Sequence, residues 1–406
     1  MTLQSSGVMF HVKKHPLKQP PTFRCESNDN HMDMLCGRLQ CGVTQSIVEL
    51  LPILIPREMS VVGDQMSVLV SQVPIPALEG TYVSTDSSVQ HSQLSTGPGE
   101  RAVRVEEILR SLPEVDESTP LAVQLAEDTR RRVSLQGLQF PQPDRTRIIT
   151  VANQKGGVGK TTSTVNLAAA LAQGGLSVLV IDSDPQGNAS TALGVDHRAG
   201  IPSVYDVLVN EEPLSYAITQ CPDLENLLVV PATIDLSGAE IELVSLVSRE
   251  TRLRRAVDEY VLEREQAGLP RLDYILVDCP PSLGLLTLNA FVTGREVLIP
   301  IQCEYYALEG LSQLLKTITM IQQHLNPELH VSTILLTMFD ARTNLAQQVA
   351  QEVRDHFGEQ TLETTIPRSV RISEAPSYGQ SVVTYEPTST GALAYRQAAY
   401  ELAVRN

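Results

Sequence analysis

Asn153-Gln154-Lys155-Gly156-Gly157-Val158-Gly159-Lys160-Thr161-Thr162 follows the β-branched run Ile148-Ile149-Thr150-Val151 and precedes an apolar, alanine-rich segment from Val165 to Leu171. The predicted order is strand, glycine loop, helix. Such a loop turns its backbone N–H groups inward, and the positive end of the helix dipole stands behind them, so a polyphosphate is the expected guest. Lys155, Gly156, Gly157, Val158, Gly159, Lys160, Thr161 and Thr162 then form the cradle. Lys160 reaches the β- and γ-phosphates, and the Thr161 hydroxyl takes a Mg²⁺.

The spacing Gly-x-x-x-x-Gly-Lys-[Ser/Thr] of an ordinary phosphate loop is only partly kept. Gln154 stands where the first glycine belongs, and Lys155 adds a second lysine. A glycine-rich turn with two stray lysines is the plain alternative, and the flanking strand and helix weigh against it. The form Lys-Gly-Gly-x-Gly-Lys-Thr resembles the deviant Walker A box of the ParA/MinD ATPases. That resemblance implies that Lys155 crosses a dimer interface to the nucleotide of the second subunit.

Composition narrows the classes. An apolar content of 42% is enough for a large core, while a net charge of -16 leaves no broadly basic surface. Any DNA contact therefore has to come from a local patch. The absence of Trp and an aromatic content of 4% count against a stacking platform for nucleic acid. Cys25, Cys36, Cys41, Cys221, Cys279 and Cys303 are scattered along a chain with no secretory signal in view, which predicts free thiols in a reducing cytosol. Cys25, His31, Cys36 and Cys41 would make an irregular zinc set, and the wide gap between Cys36 and Cys41 argues against one. The longest apolar run, Ile47 to Ile55, contains Glu49 and Pro52 and is too short to span a bilayer.

Residues 1–100 read as a largely disordered extension rich in His, Pro, Ser, Gln and Asn, with Met59 and Met66 as candidate alternative starts. Residues 101–144 read as short helices and a linker. One helix is expected over 102–112. A second begins at Thr119-Pro120, an N-cap and first-turn proline, and ends in Arg130-Arg131-Arg132, which suits a helix C-terminus. The arginine triplet has two readings, a solvated helix end or an auxiliary contact to DNA or a partner.

Residues 145–406 read as one α/β domain. Strands are predicted over 148–151, 176–181, 226–230, 273–277, 296–301 and 330–336, and helices over 165–171, 236–266, 283–291, 308–325, 345–357 and 391–404. Continuous Val/Ile/Leu strands alternating with helices predict a P-loop NTPase-like, mostly parallel twisted sheet with helices on both faces. A nucleotide is expected at the C-terminal ends of the strands.

Carboxylates stand at those ends. Asp182 and Asp184 follow the second strand in Asp182-Ser183-Asp184-Pro185-Gln186-Gly187-Asn188, and Asp278 follows Tyr274-Ile275-Leu276-Val277. A hydrophobic strand ending in Asp is the Walker B arrangement, which serves Mg²⁺. Here the resemblance widens to residues 145–406. The Asp182 segment looks like the ParA Walker A′ box and implies that Asp184 positions the attacking water. Asp278-Cys279-Pro280-Pro281 resembles the family's Walker B. Gln302-Cys303-Glu304-Tyr305-Tyr306-Ala307-Leu308-Glu309-Gly310 and Arg371-Ile372-Ser373-Glu374-Ala375-Pro376-Ser377-Tyr378-Gly379 are similar to further stretches of chromosomal partitioning ATPases.

The resemblance implies an ATP hydrolase for chromosome or plasmid segregation. Mg-ATP would drive a sandwich homodimer that binds DNA without sequence preference, and a ParB-type centromere-binding partner would stimulate release. It places DNA binding at Arg342 and Arg371, with Arg368 added by proximity, and implies a cytoplasmic, nucleoid-associated protein without membrane contact. Two alternatives stay open, a MinD-like membrane-cycling positioning ATPase and a nucleotide-dependent scaffold that does not hydrolyse. The terminal segment 394–406 is short of lysine, which counts against membrane docking. No C-x-x-C pair is present, which counts against the iron–sulfur relatives of the fold.

Overall fold

The computed structural model describes residues 3–5, 8–10, 120–135, 137–305 and 307–405. Its contacts divide the chain into Met1–Ser92 and Gln93–Asn406. In the first unit the described residues are two short antiparallel strands, β1 (Leu3–Ser5) and β2 (Val8–Phe10). The remainder of the expected extension, and the helix expected over 102–112, lie outside the described residues.

The second unit is built on a seven-stranded sheet in the order β5-β6-β4-β7-β3-β8-β9. In chain order the strands are β3 (Arg147–Val151), β4 (Val178–Asp182), β5 (Thr219–Gln220), β6 (Leu227–Val230), β7 (Tyr274–Asp278), β8 (Glu296–Gln302) and β9 (His330–Thr337). All neighbours run parallel except β5, which pairs antiparallel with β6. β3 lies between β7 and β8, so the glycine loop leaves the middle of the sheet. In the neighbouring pairings Val151 is opposite Asp278 and Asp182 is opposite Asp278. That register brings the loop and both strand-end carboxylates together.

Burial follows from strand geometry, because successive side chains point to opposite faces. Ile275 and Val277 of β7 enter one core with Leu179 and Ile181 of β4. Tyr274 and Leu276 enter the other core with Val178 and Val180. The first core is closed by helices Leu236–Leu243, Arg252–Gln266, Leu285–Thr293, Ala307–His324 and Asn344–Phe357. The second is closed by helices Lys160–Gln173 and Thr390–Val404. Both faces are covered, which is why the strands carry continuous apolar runs.

The long helix expected over 236–266 is two helices. Between them Ser248 takes a left-handed φ of 54°, and Arg249 Nη1 donates to the Val244 carbonyl at 2.7 Å. The connecting run Val244-Ser245-Leu246-Val247-Ser248 mixes β-branched residues with serines. Ser245 Oγ donates to the Glu242 carbonyl at 3.0 Å, offering the backbone a partner outside the helix.

Candidate functional site

The glycine loop is held from below before it meets any ligand. Asn153 Nδ2 donates to the Pro300 carbonyl at 2.9 Å, and the Lys155 N–H donates to Asn153 Oδ1 at 3.0 Å. From β9, Thr337 Oγ1 donates to the Val158 carbonyl at 2.8 Å. Gly157 and Gly159 sit at φ of 74° and 90°, where a side chain would be strained and where the turn needs glycine. Gly159 opens helix Lys160–Gln173, whose first residues carry no side-chain cap. The orphan N–H groups of that helix end face the loop, which is the arrangement that receives phosphate.

Lys160 and the three carboxylates Asp182, Asp184 and Asp278 are all buried at the strand ends. Their hydrogen bonds separate their roles. Asp182 Oδ2 accepts from the Ser190 N–H at 2.8 Å and the Ser190 hydroxyl at 2.7 Å, and its Oδ1 accepts from the Asp184 N–H at 3.2 Å. Asp182 is thus committed to holding helix Asn188–Ala192 in place. Asp184 accepts from the Gln186 N–H at 3.0 Å. Asp278 Oδ1 lies 3.0 Å from Thr164 Oγ1, while its Oδ2 is buried with no partner among the described residues.

Electrostatics point the same way. Burial, and next the Asp182 carboxylate, push the Asp278 carboxyl well above the ordinary carboxylate range, and the Thr161 and Thr164 hydroxyls act against the shift. Burial raises Asp182 as well, with Ser190 opposing. Burial lowers Lys160, and Asp278 followed by Asp184 pull it back. The Lys160 ammonium is attracted by Asp278 and Asp184, a third carboxylate, Asp182, presses on Asp278, and a buried Asp278 oxygen lacks a donor among the described residues. A divalent cation fits this imbalance. Among the described residues no set of three His, Cys, Asp or Glu side chains is disposed to hold a metal by itself. Mg²⁺ suits such a site, since it keeps several waters and takes only one or two protein ligands beside substrate phosphates. Thr161 and Asp278 are the residues that would hold it.

The linkage has a sign. A carboxyl whose folded pKa is raised stabilises the fold fully below its unfolded pKa, and that contribution is lost as pH rises through the folded value. Without cation, the protein is therefore expected to lose stability as pH rises through neutrality. Asp278→Asn removes the buried charge, and a gain of about 1–3 kcal/mol is expected in the cation-free fold at pH 8, with Mg²⁺-dependent nucleotide binding lost. Thermal melts with and without Mg²⁺ test this. A substitution that destabilises the cation-free protein would contradict it.

The second lysine lies apart from this group. Lys155 Nζ is 2.8 Å from Glu304 Oε2 of the same chain, with both side chains partly exposed. Hydrogen bonding from Lys155, ahead of the pair's electrostatic attraction, holds Glu304 below the ordinary range. Gln302 Nε2 also donates to Glu304.

The three arginines expected at DNA are divided. Arg342 forks onto Asp340, with Nε to Oδ1 and Nη2 to Oδ2 both at 2.9 Å. The exposed Arg368 lies within the electrostatic reach of both Glu304 and Asp340. Arg371 pairs with Glu374 at 2.8 Å and feels Tyr385 and Glu386 instead. The structure therefore groups Arg342 and Arg368 near Lys155, and turns Arg371 toward a different loop.

Sequence reasoning missed Thr164, Ser190, Thr337 and Glu304. Thr164 is four residues past Lys160 and so shares its helix face, a signal that was available. Ser190 folds back on Asp182 over a local turn of eight residues, and Thr337 and Glu304 are brought in by tertiary contacts alone. A separate cavity of about 710 Å³, lined by Arg147, Glu296, His330 and Arg405 among others, opens near the N-terminal ends of β3, β8 and β9, opposite the loop. Arg147 there is already committed to Glu296 at 2.6 Å and to the Leu402 and Arg405 carbonyls.

Comparison with known proteins agrees with the geometry. A family profile described as an AAA domain matches residues 146–331. Over 257 residues the chain is 52% identical to the sporulation initiation inhibitor protein Soj of Bacillus subtilis, covering 63% of this chain and 98% of Soj. It is 50% identical over 260 residues to the chromosome partitioning protein ParA of Myxococcus xanthus, covering 64% of this chain and 89% of that protein. Among solved structures, a Mycobacterium smegmatis protein titled cobyrinic acid a,c-diamide synthase, with bound ADP and magnesium, is 38% identical with a TM-score of 0.53. That match covers 63% of this chain and 92% of the other.

Proposed function

Because this chain belongs to the Soj/ParA family of chromosome-partitioning ATPases, we propose that it hydrolyses ATP to ADP and phosphate in a cycle of dimerisation and DNA binding. The observation that carries the reading is the convergence of Lys160, Asp184 and Asp278 behind a glycine loop that opens an uncapped helix. Relatives of the fold have been solved with ADP or an ATP analogue and magnesium, which supports ATP and Mg²⁺ as the ligands here. When bound, Mg²⁺ would neutralise charge on the β- and γ-phosphates. Lys160 binds the same phosphates, and Asp278 and Thr161 hold the cation. Asp184, with only one backbone donor on its carboxylate, orients the attacking water, whereas Asp182 is occupied by Ser190.

Lys155 acts on the second subunit's nucleotide. Its bond to Glu304 is part-exposed, and such pairs contribute about 0–1 kcal/mol, so exchanging Glu304 for a phosphate costs little. The ATP-bound homodimer then presents Arg342, Arg368 and Arg371 from both subunits to DNA phosphates without reading bases. A ParB-type centromere-binding protein stimulates hydrolysis and release, and the protein is nucleoid-associated in the cytoplasm while ATP lasts.

The MinD-like reading is less well supported. Helix Thr390–Val404 is buried along Ala392, Leu393, Ala394, Tyr395, Ala398, Ala399, Leu402 and Ala403. A helix packed in this way has no apolar face left for a membrane surface. Among the described residues no helix is long and apolar enough to cross one.

Asp184→Ala tests the assignment. Removing the water-positioning carboxylate, and nothing that holds the cation, should trap an ATP-bound dimer. Size-exclusion chromatography is expected to show a stable dimer with ATP and a monomer with ADP. An Asp184→Ala protein that stays monomeric with ATP would mean that the carboxylate acts before hydrolysis.

A further inference from the structure

We propose that Arg130, Arg131 and Arg132, on the helix that precedes the ATPase fold, form an auxiliary DNA-phosphate surface continuous with Arg371. The proposal rests on the DNA-binding reading above and extends it to a part of the chain that precedes the residues matched by the family profile.

The helix Pro120–Leu135 is fixed to the fold rather than trailing from it. Thr390 Oγ1 donates to Asp128 Oδ2 at 3.2 Å, and Arg396 Nη2 donates to the Leu135 carbonyl at 3.2 Å. Just beyond the helix, Phe140 meets the Tyr400 ring edge-on at 5.4 Å, and its N–H donates to the Gly174 carbonyl at 3.0 Å. A Cβ at Gly174 would lie 2.4 Å from the Phe140 ring, so the fit leaves no slack. Charges on this helix therefore have a set position on the domain.

Among the described residues those charges lack counter-ions. Arg130 and Arg132 are exposed and Arg131 is half-buried. Among the described residues, none of the three has a carboxylate within ion-pair distance. Their one side-chain hydrogen bond is a long one, from Arg132 Nη2 to the Thr388 carbonyl at 3.5 Å. Arg342 and Arg371, by contrast, are each neutralised by a neighbour of their own chain. In a protein of net charge -16, Arg130 and Arg132 flank the helix on either side of the half-buried Arg131, and exposed cations without a carboxylate partner among the described residues are open to an external anion.

The position identifies the anion. Thr388, whose carbonyl meets Arg132, donates its hydroxyl to Glu386 Oε1 at 3.1 Å. Glu386 in turn lies within electrostatic reach of Arg371. A single short loop thus separates Arg132 from Arg371. The arginine cluster lengthens the basic surface that the dimer offers to a duplex, and two subunits carry it twice.

The test is the salt dependence of binding to a fluorescent duplex of arbitrary sequence, read by anisotropy with ATP on the full chain. Arg342, Arg368 and Arg371 alone give about six phosphate contacts per dimer and a log–log slope of about -5 to -6. With two to four contacts added by the cluster, the expected slope is about -7 to -9. R130E/R132E should return it to about -5 to -6 and weaken binding at least tenfold, with ATP-dependent dimerisation unchanged. R130E alone leaves the Thr388 contact in place, and should give an intermediate slope even if the double variant loosens the helix. A parent slope of about -5 to -6 that neither variant alters overturns this proposal and leaves the DNA-binding reading standing. A parent that binds no duplex with ATP overturns both.

Discussion

Lys160→Ala is expected to weaken ATP binding by at least about 100-fold, since charge-assisted bonds to phosphate contribute about 1.5–3 kcal/mol each and this lysine reaches more than one oxygen. The side chain is buried beside Asp278 and Asp184, and burial already lowers its pKa. A bound triphosphate would supply the counter-charge that these carboxylates only partly give. Lys155→Ala is expected to behave otherwise. Lys155 is part-exposed and tied to Glu304, away from its own subunit's cation group. ATP affinity should stay within about threefold, while hydrolysis falls by about 100-fold or more, the usual scale for losing a group that stabilises charge in the transition state. Equilibrium titration with ATP and single-turnover phosphate release measure the two quantities. Equal loss of ATP binding in both variants would rule out a role for Lys155 across the interface.

Charge reversal on the proposed DNA face should have an effect of similar size. Arg342 is clamped by Asp340, whose carboxyl its bonds hold down at about 2. Arg342→Glu therefore puts two negative groups where one neutral pair stood. Screening extends over roughly 8 Å at physiological salt, so only charges near the phosphates matter once contact is made. Two contacts per dimer would be lost and repulsion added. The expected result is a fall in the magnitude of the salt slope by about 2 and binding weaker by about 100-fold, for any duplex sequence. Arg368→Glu should match it, because Arg368 shares the field of Asp340. ATP-dependent dimerisation should survive in both. Variants that bind as tightly as the parent would place the DNA surface elsewhere.

Much of this was legible in the sequence for a physical reason. All six predicted strands are present because a strand buried on both faces has to be a continuous apolar run, and such runs stand out. β5 was invisible for the opposite reason. Thr219 and Gln220 are exposed and paired only along β6, so they carry no apolar signal. The split after Leu243 depends on one left-handed serine and one arginine-to-carbonyl bond, which periodicity cannot register. At the site, the loop, Asp184 and Asp278 are linear patterns and could be read directly. Glu304 and Thr337 act across long sequence separations, and only the sheet order brings them in, while Ser190 folds back on Asp182 over eight residues through a turn that carries no apolar pattern. The Asp340–Arg342 fork was within reach, since only Ala341 separates the two residues in Phe339-Asp340-Ala341-Arg342. It changes the meaning of Arg342 from a bare cation to one half of a pair that DNA has to open.

The central claim is that nucleotide state switches DNA affinity. The direct measurement is binding of the full-length protein to one labelled duplex of arbitrary sequence at physiological salt, with ATP and Mg²⁺, with ADP and Mg²⁺, and with neither. Binding with ATP at least tenfold tighter than in the other two states is the predicted result. Equal affinity in all three, or binding to anionic vesicles with ATP in place of DNA, would contradict the account.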